Sequence, residues 1–133
     1  MNTICDKVKE MKDELAIDRF EDKYDLDLDG SFKEFFKYNN GGTPRKKNFE
    51  IGNDEYEVRC FLSFNDDEYN SIRKPLESFQ EGTHGKIFPF AKDSGDNYYC
   101  LNVETGAVYF WSVDDEKYYK LTESFTEFVD LLK

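Results

Sequence analysis

Residues 86–111, KIFPFAKDSGDNYYCLNVETGAVYFW, constrain the fold of this chain more than any other stretch. Eleven bulky apolar or aromatic residues, from Ile87 to Trp111, surround one DSGD turn and one ETG turn. Runs rich in Tyr, Phe, Val and Ile, separated by Gly- and Asp-bearing turns, read as strands joined by hairpins. The strands expected are 87–91, 97–103 and 107–113, and short connections make them antiparallel. In NYYCLNV and AVYFWSV the polar–apolar alternation is weak, so both faces carry apolar side chains. A strand of that kind is covered on both sides. Helices are expected on one face; a loop, a helix or a partner covers the other.

So much aromatic strand needs a core to match, and the composition supplies one. The chain has 133 residues, 38% of them hydrophobic and 17% aromatic. That length fits one domain, residues 1–133. Phe and Tyr bury large areas, which excludes a disordered acidic tail despite a formal charge of -11. The charge repels nucleic acid and anionic membrane surfaces and favours basic partners. The three cysteines, Cys5, Cys60 and Cys100, are odd in number and have no paired spacing. They read as reduced, buried thiols of a cytoplasmic protein. MNTICDKVKEMKDEL has no continuous apolar run, so neither a signal peptide nor a membrane helix is expected there.

The remaining elements follow from periodicity and punctuation. Ile4, Val8, Met11 and Leu15 form a helical stripe that Asn2 or Thr3 can cap. The acidic IDRFEDKYDLDLDG reads as a surface connector. Phe32, Phe35 and Phe36 share a face of the next helix, with Asp29 or Ser31 as cap and Asn39-Asn40-Gly41-Gly42 as a structural stop. FEIGNDEYEV is a hairpin turning at Gly52-Asn53-Asp54. Tyr69, Ile72, Leu76 and Phe79 give a further helical stripe, capped by Asp66 and interrupted by Pro75. A last short strand around Tyr118, Tyr119 and Leu121 leads into a final helix. Thr122 with Phe125, and Ser124 with Glu127, fit capping-box logic there. Leu121, Phe125, Phe128, Val129 and Leu132 make the core face of that helix. The fold class expected is α+β, with an antiparallel sheet of about five or six strands flanked by helices.

Catalytic or metal chemistry has little to stand on. The single histidine, His84, lies in the polar loop EGTHGK; a nucleophile would have to come from a distant cysteine, and a lone surface histidine is more often only that. Asp93 and Asp96 in DSGD lack the run of oxygen ligands that a calcium loop needs, and Asp, Ser and Gly are ordinary turn residues. Cys60 and Cys100 lack metal-ligand spacing, and there is no phosphate-cradling glycine loop. No enzyme activity, cofactor or metal is expected.

The landmarks in order are the Phe32–Phe35 helix ending in Asn40-Gly41-Gly42, then Pro89-Phe90-Ala91, the Asp93–Gly95–Asp96 turn, the Val108-Tyr109–Trp111 strand, and the last helix with Ser124, Phe125 and Phe128. This ordered set, over roughly residues 22–132, resembles the SMI1/KNR4 (SUKH) superfamily. One departure is Leu28-Asp29-Gly30, where a leucine-proline pair commonly precedes the helix. The resemblance implies an α+β sheet flanked by helices, and binding rather than catalysis. It further implies an immunity protein that neutralises a cognate polymorphic or contact-dependent toxin; the alternative is an intracellular regulatory interaction module.

Charge distribution points to where such a partner would sit. Residues 93–116 hold six acids and no base, and residues 48–72 hold seven acids against Arg59 alone. Basic charge gathers at Lys7, Lys9 and Lys12 and at residues 45–47. Tyrosine and tryptophan are common anchors inside a charged rim, and Tyr56, Tyr69, Tyr109 and Trp111 lie among the acids in sequence. The partner-binding candidates are therefore Asp66, Asp67, Glu68, Tyr69, Asp93, Asp96, Tyr109, Trp111, Asp114, Asp115 and Glu116. The partner expected is a basic toxin domain of nuclease or deaminase type, bound by a monomer. The second reading is that the acids serve solubility and that loops cover the spare aromatic face.

Overall fold

The aromatic strands build the sheet that everything else leans on. In the computed structural model, residues 3–66, 69–76, 79 and 86–133 are described. Five strands, β5 (Cys60–Phe61), β6 (Ile87–Lys92), β7 (Tyr98–Asn102), β8 (Val108–Ser112) and β9 (Lys117–Thr122), pair in that order. Every pairing is antiparallel. The register sets Tyr99 opposite Phe110 and Tyr98 opposite Trp111. Because side chains alternate along a strand, Tyr99, Leu101, Val108 and Phe110 share one face. Tyr98, Cys100, Tyr109 and Trp111 share the other. Pro89 sits where the β6–β7 register shifts, a place where its missing N–H is tolerated.

Helices α1 (Ala16–Tyr24), α2 (Gly30–Asn39) and α4 (Phe125–Asp130) bring their aromatics to the first face. Phe32 and Phe36 of α2 are fully buried, and the Phe32 ring lies 4.9 Å from Phe125 and 5.7 Å from Phe88. Phe128 of α4 stands 5.4 Å from Phe90. The Ser124 hydroxyl accepts from the Glu127 N–H at 3.2 Å and caps α4 as the spacing predicts. Thr122 instead ends β9, and its hydroxyl donates to the Ser124 carbonyl. Leu121 lies in β9 rather than on the α4 face. Asp29 sits at the N-terminus of α2 but makes no side-chain cap; its carboxylate takes the Ser31 hydroxyl.

The N-terminal helix expected from Ile4, Val8, Met11 and Leu15 does not form. Residues 5–6 are a short strand, β1 (Cys5–Asp6), paired with β2 (Thr43–Pro44), and Val8 and Leu15 are exposed. The helix lies instead at 16–24, in the segment read as a connector. There Ile17 and Phe20 are buried, and Phe20 meets Phe64 at 5.3 Å and Phe88 at 5.4 Å. A short isolated helix is marginal, whereas the extended strap gains specific hydrogen bonds. Asn39 Oδ1 accepts from the Ile4 N–H, Asn40 Nδ2 donates to the Lys9 carbonyl, and Asn65 accepts from the Lys12 N–H, all at 3.0 Å. The Asn39–Gly42 segment thus stops α2 and also fastens the strap. Gly42 has to be small, since a Cβ there would stand 2.6 Å from the Cys5 Cβ.

β3 (Asn48–Ile51) and β4 (Asp54–Glu57) form the expected hairpin. It lies beside α4 on the first face, with Phe49 5.6 Å from Phe128. On the second face Trp111 meets Tyr118 at 4.9 Å. Phe79 covers both, at 5.8 Å from Trp111 and 6.4 Å from Tyr118. Phe79 belongs to α3, whose described helical residues are 73–76 and 79. Pro75 falls in its first turn, where a missing N–H is harmless. Ser71 Oγ, not Asp66, accepts from the Arg73 N–H, and Tyr69 is off the buried stripe, 82% exposed.

Burial also gives the fold an alkaline limit. It pushes the Cys5 thiol and the Tyr118 phenol up to about 12, and Cys100 and Tyr99 also rise above their usual values. Each folded pKa exceeds its unfolded value, about 8.5 for Cys and about 10 for Tyr. Their contributions to stability are whole below those unfolded values and fall away as pH rises toward about 12. The urea midpoint is expected to hold steady from about pH 7 to 8 and to fall progressively above about pH 9. A midpoint unchanged up to pH ~10.5 would contradict this burial pattern.

Candidate acidic groove

The β3–β4 hairpin stands off from the sheet and leaves a groove of about 1180 Å³ between itself and the β8–β9 end. Its aromatic lining consists of Phe49 and Tyr56 of the hairpin and Phe110 and Tyr119 of the sheet. Phe49 and Tyr56 face each other across the hairpin register and stack at 5.3 Å. Tyr56 in turn meets the edge of Phe110 at 5.3 Å. Six carboxylates line the groove: Glu50, Asp54, Glu55 and Glu57 from the hairpin, and Asp93 and Asp115 from the β6–β7 and β8–β9 turns. Among the described residues, Lys46 is the only cation lining it.

Several of these acids are held in place. Both Glu57 oxygens accept from Ser94, from its N–H and its hydroxyl, each at 3.0 Å. The Glu57 carbonyl accepts from Tyr99 Oη at 2.6 Å. Asp93 accepts from the Gly95 and Asn97 N–H groups at 2.9 Å and from Asn97 Nδ2, so its oxygens serve the turn. Tyr119 donates to Asp115, and that bond, ahead of desolvation, raises the phenol's pKa. Burial does the same for Tyr56. Glu50 and Glu55, by contrast, stand directly opposite each other in the hairpin register. Like charges in that position destabilise a strand pair.

The sequence-derived candidates divide among four places. Asp93 and Asp115 line the groove. Asp96, Asp114 and Glu116 are exposed on the same two turns, outside its lining. Tyr109 and Trp111 are on the opposite face, half-buried against Tyr118. Their neighbourhood with the acids is therefore one of sequence only, because strand alternation sends adjacent residues to opposite faces. Asp66 pairs with Arg73 at 2.8 Å, and Tyr69 stands under Lys92, whose Nζ is 4.9 Å from the ring centroid. Asp67, Glu68 and His84 lie outside the described residues. Sequence reasoning missed Glu50, Asp54, Glu55 and Glu57 as site residues, along with Phe110 and Tyr119. The acid-rich hairpin FEIGNDEYEV was itself the available signal.

Among the described residues there is no group of three or more His, Cys, Asp and Glu side chains placed to hold a metal ion. No helix there is long and apolar enough to cross a membrane. What the groove offers is an acidic rim, three of whose carboxylates are held by hydrogen bonds, around an aromatic floor, suited to cationic surface. A family model described as the SMI1 / KNR4 family (SUKH-1) matches residues 13–131. The SPbeta prophage-derived uncharacterized protein YokK of Bacillus subtilis (strain 168) is 28% identical over 82 residues, a stretch covering 59% of this chain and 42% of that protein.

Proposed function

For a chain that belongs to the SMI1 / KNR4 family (SUKH-1), a family that includes immunity proteins, we propose that it is itself one. It neutralises a cognate toxin by direct binding, in the cytoplasm and as a monomer, without catalysis of its own. The toxin domain is basic, of nuclease or deaminase type, and its cationic surface enters the acidic groove. The supporting observation is the groove itself: among the described residues, six carboxylates against one lysine around four aromatic side chains. A nuclease surface that receives phosphates is cationic, so an acidic rim both attracts and occludes it. The Glu50–Glu55 juxtaposition fits this reading, because a local destabilisation is expected where a surface serves binding.

The reading requires a toxin domain in the neighbouring reading frame, and that domain is the partner in the test. Glu50→Gln, Glu55→Gln and Asp115→Asn combined should leave the fold intact. They should slow association about tenfold at low ionic strength and flatten its salt dependence, as read by stopped-flow. Protection on co-expression should weaken in parallel. A triple variant that associates and protects like the parent would remove the groove as the interface.

A further inference from the structure

The opposite flank of the same hairpin carries the opposite charge. A cleft of about 340 Å³ is lined by Lys7, Lys9, Lys47, Arg59 and Lys92, with Tyr69 at its edge. In a chain with a net charge of -11, five of the eighteen Lys and Arg residues converge on one cleft from four separate segments. The fold fixes their approach. Lys92 ends β6, and its carbonyl accepts from the Arg59 N–H at 2.8 Å. The Lys47 carbonyl accepts from the Val58 N–H, also at 2.8 Å. Lys7 follows β1 in a left-handed conformation, φ 56°. Lys9 Nζ donates to Oδ1 of the buried Asn70 at 2.8 Å.

Lys7, Lys47, Arg59 and Lys92 form no ion pair among the described residues. Among the described residues Glu57 is the single acid in the lining, and both its oxygens accept from Ser94. Tyr69 is 82% exposed with Lys92 over its ring, an aromatic and a cation presented together.

We propose that this basic cleft binds a short acidic segment of a protein partner, independently of what the acidic groove holds. Lys7, Lys47 and Lys92 present point charges, which suits clustered carboxylates better than one planar, bidentate ligand. A long polyanion such as nucleic acid is disfavoured, because Glu57 lines both the cleft and the acidic groove and joins one to the other. A short segment avoids the groove's carboxylates. Exposed Tyr69 adds an apolar contact that a lone inorganic anion would not use.

A fluorescein-labelled oligoglutamate peptide, followed by anisotropy at low ionic strength, tests this. The parent protein should bind it saturably, and added salt should weaken binding. Lys47→Glu with Arg59→Glu should reduce affinity about tenfold or more, and Tyr69→Ala should reduce it as well. Glu50→Gln with Glu55→Gln, in the other groove, should not weaken it, which separates failure here from failure of the toxin reading. If circular dichroism shows the reversal variant misfolded, Lys47→Gln with Arg59→Gln decides in its place. Absence of binding by the parent overturns the proposal, as does binding that the folded charge variants leave unchanged. So does full competition by equimolar inorganic phosphate, or tighter binding of single-stranded DNA than of the peptide.

Discussion

Phe125→Ala is expected to lower the free energy of unfolding by about 3–5 kcal/mol. Phe125 is 4% exposed and joins both helices to the sheet. Its ring lies 4.9 Å from Phe32, 5.3 Å from Phe35 and 5.3 Å from Phe90. Truncation removes the transfer energy of the ring and opens a cavity among side chains that are themselves buried, so collapse is limited. Urea unfolding followed by far-UV circular dichroism measures it. A loss under about 1 kcal/mol would mean that the α2–α4–sheet junction is not the packed centre described above.

Asn40→Ala is expected to cost about 2–4 kcal/mol, although it removes only a small polar side chain. Asn40 is 1% exposed. Its Oδ1 accepts from the Phe64 N–H at 2.9 Å, and its Nδ2 donates to the Lys9 carbonyl and to Ser63 Oγ. The variant strands a buried N–H and loosens the strap, and each buried polar group left unpaired costs about 1–3 kcal/mol. Limited trypsin digestion of the native variant should cut sooner at Lys7, Lys9 or Lys12 than its urea midpoint alone accounts for. A loss below about 0.5 kcal/mol with unchanged cleavage would reduce Asn40 to a helix stop.

Much of this was legible before any coordinates. The DSGD and ETG turns set the β6–β7–β8 meander, the FEIGNDEYEV hairpin formed as read, and the Phe32–Phe36 and Phe125–Val129 stripes packed where their spacing placed them. The first helix was misplaced because two stripes competed. Ile4, Val8, Met11 and Leu15 had the more apolar pattern. Ile17, Phe20 and Tyr24, at i, i+3 and i+7, were hidden among acids. Tertiary hydrogen bonds from Asn39, Asn40 and Asn65 decided between them.

The sequence by itself determined an acidic α+β chain with an antiparallel aromatic sheet, because strand period, turn chemistry and net charge are local or additive properties; the family followed from the order of its landmarks along the chain. The tertiary structure alone decided where that charge acts. Acids from the hairpin and from two turns far apart in sequence meet in one groove, while Lys7, Lys47, Arg59 and Lys92 meet on the hairpin's other flank. Trp111, which sits among the acids in sequence, faces away from them. Strand alternation and chain reversal carry neighbours in sequence to opposite faces and bring distant residues together, so the address of a charge is set by the register and packing of the whole sheet.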